Sequence, residues 1–159
     1  MHLDADNKVK LSRLSGVLVM LSMPAHAVFN GGINANLTDV NGAASHGYGV
    51  HLGYTPLPYL GAEIGIDRLG DDYRSGYKTT YDTVSFKVKP RYQFATFTMY
   101  GNLGFHVFNG EADIDAQFVY GLGAETYLHQ RATIGAEYNF YKIGVSDIEA
   151  LTVKLSYLF

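Results

Sequence analysis

Leu151-Thr152-Val153-Lys154-Leu155-Ser156-Tyr157-Leu158-Phe159 alternates with a period of two. That is the repeat of a β-strand, whose successive side chains point to opposite faces. Leu151, Val153, Leu155, Tyr157 and Phe159 share one face, and Thr152, Lys154 and Ser156 the other. In water, a strand with one wholly apolar face and an aromatic end invites aggregation. In a lipid bilayer the same strand fits: apolar toward acyl chains, polar toward an enclosed lumen, aromatic at the boundary. A terminal strand of a soluble sandwich is the competing reading, and the rest of the chain decides between them.

The opposite end points to export. Lys8, Lys10 and Arg13 precede an apolar run from Leu14 to Met23, and Pro24-Ala25-His26-Ala27 follows with a small-x-small pattern. A positive flank, a short apolar core and a small-residue exit make a secretory signal peptide. The run is shorter than the roughly 20 apolar residues of a membrane-spanning helix. The sequence therefore predicts a signal peptide over residues 1–27 and an exported domain over 28–159. Asp4 and Asp6 are unusual in a charged leader region, so a translation start after Met1 stays open.

Composition narrows the class. No later run is long and apolar enough for a membrane helix, yet aromatics reach 14% and there are 18 glycines. Alternating strands average to neutral hydropathy even when one face is fully apolar, so a barrel escapes a helix scan. There is no cysteine, which excludes a disulfide framework, thiol catalysis and cysteine metal sites. The net charge of −3 without a basic stripe argues against a nucleic-acid partner.

From Val28 the alternation marks eight runs: Phe29–Leu37, His46–Thr55, Tyr59–Arg68, Thr83–Tyr92, Phe97–Phe108, Gln117–Tyr127, Ala132–Phe140 and the terminal strand. Each is near the roughly 9–11 residues that a tilted membrane strand needs. Short turns alternate with longer polar stretches at 38–45, 69–82, 109–116 and 141–150. Short periplasmic turns against longer external loops are the pattern of an outer-membrane barrel. The predicted fold is all-β: an eight-stranded antiparallel up-and-down transmembrane β-barrel. A soluble lipocalin-like barrel, with the apolar face inward, is the structural alternative. Against it, the polar face is rich in glycine, which suits a narrow lumen. The apolar face also gathers aromatics near strand ends, as two interfacial girdles would. On this parity Val50, Leu103 and Ile134 face lipid, and Gly70 lies in a loop that should tolerate arginine.

The same parity sends Glu63, Asp67, Glu125 and Glu137 inward with Lys87, Lys89, Arg91 and Lys154. An eight-stranded interior is just wide enough for side chains to fill, and an unpaired buried charge costs several kcal/mol. These groups must pair. A plug that stabilises the barrel and conducts nothing appreciable is one outcome; a plug that yields to a narrow passage is the other.

Leu60-Gly61-Ala62-Glu63-Ile64-Gly65-Ile66-Asp67-Arg68-Leu69-Gly70, Val88-Lys89-Pro90-Arg91-Tyr92, Gly121-Leu122-Gly123-Ala124-Glu125 and Ala136-Glu137-Tyr138 appear in an order and spacing that resembles the eight-stranded transmembrane domain of OmpA-like outer-membrane proteins. The resemblance spans 28–159 and implies a barrel-only, porin-like member in the envelope of a Gram-negative cell, without the peptidoglycan-binding domain of longer relatives. It also implies a lumenal salt-bridge cluster able to rearrange. Glu63, Lys89 and Glu125 match three of its four positions. The fourth, an arginine in the family, falls at Gly135, and Lys154 on the adjacent strand could supply the missing cation.

The resemblance further implies a structural envelope role with low-level permeability to small solutes. The expected partners are outer-membrane lipid, lipopolysaccharide and the barrel-assembly machinery, which would read Phe159 and Tyr157; a monomer is expected. Adhesion or host interaction through the external loops is the alternative, since loops carry binding on such scaffolds, and the 69–82 stretch holds three tyrosines among charges. An enzyme is not expected. His51, His106 and Ser85 face inward without a nucleophile motif around them, and no histidine pair has metal-ligand spacing beside a carboxylate. Neither cofactor nor metal is implied.

Deleting Phe159, or changing it to Asp, removes the aromatic boundary anchor of the strand. Cell fractionation should then find the protein degraded or periplasmic. Wild-type yield in the outer membrane would contradict this.

Overall fold

The computed structural model describes residues 27–159 apart from 41, 75–76, 110–115 and 144–145, and it does not describe the side chains of 40, 72–74, 77–79, 109, 143 and 146. The expected signal peptide, save Ala27, lies outside the described residues. The strands are β1 (Val28–Val40), β2 (Ala43–Leu57), β3 (Leu60–Arg74), β4 (Tyr77–Phe94), β5 (Phe97–Asn109), β6 (Ala116–His129), β7 (Ala132–Ile143) and β8 (Ser146–Leu158). Each pairs antiparallel with its neighbour, and β1 closes on β8, with Ile33 opposite Leu155 and Asn34 opposite Lys154. Closure leaves no edge, so every strand donates and accepts within the wall, as a lipid environment demands.

The two-residue period decides the orientation. Leu52 and Leu122 are 68% and 71% exposed on the outer surface, whereas Asn102, His106 and Asn139 are wholly buried within. A lipocalin-like barrel would have the reverse arrangement. An apolar exterior around a polar interior is a membrane barrel.

Strand lengths depart from expectation at the loop end. The stretch 69–82 was expected to be a loop, but β3 runs to Arg74 and β4 begins at Tyr77; likewise β7 reaches Ile143 and β8 begins at Ser146. Here the period of two continues while its polarity inverts. Outward positions become charged: Arg68 pairs with Asp82 at 2.8 Å and Lys142 with Asp147 at 2.8 Å. Inward positions become apolar: Leu69, Tyr141 and Ile148 are 0–2% exposed. The strands have passed beyond lipid, and the ordinary rule of an aqueous β-protein resumes. At the turn end β2 reaches Leu57, with a register shift between Tyr54 and Leu57 around Pro56, which has no N–H for the ladder.

Gly70 corrects a second expectation. It is buried inside the β3–β4 ladder at a register shift, with φ +142°. A Cβ built there would collide with the Ser45 hydroxyl. Arginine is therefore not tolerated: the backbone conformation alone costs about 1–3 kcal/mol for a residue with a side chain.

Urea titration of folding into lipid vesicles should rank these sites. Arginine at Val50 or Leu103 should cost about 2–4 kcal/mol. At Ile134, close to the turn where β7 begins, the cost should be smaller. Gly70→Arg should also destabilise. Equal stability of Val50→Arg and wild type would contradict the parity.

Candidate functional site: a charge cluster in the lumen

Five inward side chains from four strands meet near the middle of the barrel. β3 brings Glu63, β4 brings Lys87 and Lys89, β7 brings Glu137 and β8 brings Lys154. Glu63 lies 3.0 Å from Lys87 Nζ and 2.6 Å from Lys89 Nζ, and it also pairs with Lys154. Glu137 lies 2.6 Å from Lys89, 3.0 Å from Lys154 and 3.3 Å from Lys87. Each carboxylate thus bridges all three ammonium groups. All five residues are at most 9% exposed.

Glu137 is the centre of the arrangement. Beyond its three lysines it accepts from Tyr100 Oη at 3.0 Å and from Asn139 Nδ2 at 3.0 Å. Tyr100 also lies under Lys89, with Nζ 4.4 Å from the ring centroid, a cation–π contact. A Cβ at Gly123 would strike the Tyr100 ring, so the absent side chain there makes room for the tyrosine. Tyr100 and Asn139 escape a search for charges alone. Their inward parity next to a carboxylate is the signal that could have found them.

Glu125 does not join this cluster, contrary to the family-based expectation. It pairs with Arg91, which also donates to Thr55 Oγ1 at 2.8 Å. This second pair sits nearer the turn end and is partly solvated, with side chains 17% and 25% exposed. The displacement follows from register. Glu125 lies opposite Gly135 and Glu137 opposite Gly123, so the two acids stand at different heights. Lys154 lies directly opposite Gly135 in the β7–β8 ladder, the position where the resemblance calls for an arginine.

Around the cluster the rest of the interior is polar and largely neutral. Asp67 accepts from Asn34 at 2.9 Å and from Asn36 at 3.3 Å. Asn34 Oδ1 lies 2.7 Å from His51 Nδ1, and Ser156 Oγ 2.9 Å from His51 Nε2. With its amide donating to Asp67, Asn34 offers oxygen to the ring, which fits Nδ1 as donor and Nε2 as acceptor of the serine proton. Ser156, His51 and Asn34 thus stand in the order nucleophile, base, orienter. Of these three residues Ser156 borders a cavity of about 20 Å³, room for a water and not for an acyl group. They form a satisfied polar layer rather than a reaction centre.

Tyr157 and Phe159 are exposed on the outer wall, ring centroids 5.5 Å apart, and the Phe159 N–H donates to the Phe29 carbonyl at 2.9 Å.

The family profile described as "Outer membrane protein beta-barrel domain" matches residues 15–159. No curated protein sequence matches the chain. Among solved structures, the N-terminal β-barrel domain of Pseudomonas aeruginosa OprF is similar with TM-score 0.60 at 11% identity, over 82% of this chain and 97% of that one. Ail, the attachment invasion locus protein of Yersinia pestis, solved with the heparin analogue sucrose octasulfate, gives 0.56 at 17% identity, over 84% and 97%. Neisserial surface protein A gives 0.51 at 10% identity, over 84% and 97%. At these identities the likeness is one of fold.

Removing one partner of a buried ion cluster strands the others. Glu137→Ala leaves three lysines sharing Glu63 and should cost about 3–5 kcal/mol in urea unfolding from lipid. Glu125→Ala, at the partly solvated pair, should cost about 1 kcal/mol or less. Equal losses would show that the two acids share one environment.

Proposed function

The chain belongs to the family of outer membrane protein beta-barrel domains and resides in the bacterial outer membrane, and on that premise we propose that it is a structural wall protein of the envelope whose lumen is held shut by its own ion cluster. The observation that carries this reading is the complete mutual bridging of Glu63 and Glu137 by Lys87, Lys89 and Lys154. A solute crossing the lumen has to displace ion pairs that nothing else replaces, so passage is confined to small solutes and to moments when the cluster rearranges. The apolar exterior engages lipid and lipopolysaccharide. Residues 1–27 direct export, the barrel-assembly machinery inserts the chain through its last strand, and the barrel works as a monomer without catalytic activity.

The reading is tested in cells and in planar bilayers. A strain lacking the protein should become sensitive to detergent and leak periplasmic contents, and re-expression should restore it. The purified barrel should hold a closed baseline with rare, small openings. Unchanged envelope integrity would overturn the structural role; a steady ohmic conductance would overturn the plugged lumen.

A further inference from the structure

We propose that the lumen is a blind well: open to the periplasm at its turn end, and sealed toward the exterior by a second, apolar plug that is separate from the ion cluster. The inference rests on the plugged reading of the lumen and adds direction and a second barrier to it.

The open end is a cavity of about 150 Å³ at the barrel mouth, with Asn30, Gln93, Thr98 and Thr133 in its wall and the Arg91–Glu125 pair at its floor. Beyond that pair lies the smaller space of about 20 Å³ whose wall includes Glu63, Lys89 and Lys154. Hydroxyls, amides and a solvated ion pair make this half wettable. The short turns place it on the periplasmic side.

The other end has opposite chemistry. Leu69, Val119, Tyr141 and Ile148 are 0–2% exposed and pack together across the bore, with Tyr81 and Phe108 against them. Tyr81 meets Phe108 edge-on at 6.0 Å. Below them His106 packs edge-on against Phe108 at 4.7 Å and Tyr141 at 5.1 Å. His106 is anchored by the Lys142 carbonyl, 3.0 Å from Nε2. None of these residues contributes to the ion cluster, and the Asn102–Asn139 hydrogen bond at 2.8 Å lies between the two. An apolar constriction blocks ions by excluding the water they would have to shed. An ion cluster blocks by occupying the bore with paired charge. The two barriers act in series, so loosening one leaves the other closed.

The cysteine-free chain permits a directional test. Thr133→Cys reports the well, and Ser85→Cys reports the buried interior between the barriers. Each folded variant, verified by heat-modifiable migration, is exposed to a small cationic methanethiosulfonate reagent from one side of the membrane at a time. Thr133→Cys should react from the periplasmic side and not from the exterior. Ser85→Cys should react from neither, and should become reactive from the exterior when Tyr141→Ala empties the apolar plug. In planar bilayers, Lys89→Met combined with Tyr141→Ala should raise conductance by about tenfold or more over either single variant, as barriers in series require. Exterior labelling of Ser85→Cys with Tyr141 intact would overturn the apolar seal. So would Lys89→Met alone conducting as well as the double variant, while the plugged wild type stood. A steadily conducting wild type would instead overturn the plugged reading itself.

Discussion

The constraint on which the rest depends is that a backbone in lipid has no water to bond. Every N–H and C=O of the wall has to find a partner in the wall, which forces β1 onto β8 and closes the barrel. Closure with eight strands sets a bore that side chains alone can fill. The apolar half of each strand is then committed to the outside, and whatever charge the sequence carries on the other half is confined together. The ion cluster is thus a consequence of closure. Five charged groups sharing one narrow section have to bridge, and Glu63 and Glu137 each do so to all three lysines.

Parity was legible in the sequence; height was not. The period of two assigns Glu63, Lys87, Lys89, Glu125, Glu137 and Lys154 to the interior without any structure. Which of them meet depends on how far each strand is sheared against the next, and that is set by register. Glu125 and Glu137 are close in sequence and both point inward, but Glu125 stands with Arg91 near the mouth while Glu137 reaches the centre. Family resemblance favoured Glu125 as the cluster's second acid. The local chemistry explains why Glu137 takes that place here: Tyr100 and Asn139 complete its hydrogen bonds, and Gly123 leaves space for the tyrosine ring.

Lys154 stands beside the position at which the family resemblance calls for a cation. The β7 position expected to hold an arginine is Gly135, and its ladder partner is Lys154. The cation has moved one strand sideways, to the ladder partner of that position. The cost is balance, since three ammonium groups now face two carboxylates. Asp67, on the loop side of the cluster, is a further acid, held by Asn34 and Asn36. Its charge lowers the cost of the excess cation, because fields reach farther in a low-dielectric bore than in water.

The apolar plug was hidden in the sequence for a different reason. From the sequence, strands are expected to end at Arg68 and Phe140 and one to begin at Thr83, where polar residues enter the outward positions. The alternation in fact runs on with its polarity exchanged, Arg68 out and Leu69 in, Tyr141 in and Lys142 out. Hydrophobic periodicity reports which side of a strand is shielded from water, and it does not distinguish lipid from a packed interior. Within the bilayer the shielded side is the exterior; past it, the shielded side is the bore. The level at which the pattern inverts therefore marks the outer boundary of the membrane on the protein itself. One continuous barrel holds an inside-out section, where charges must satisfy one another, and above it an ordinary section whose core is built from Leu69, Val119, Tyr141 and Ile148.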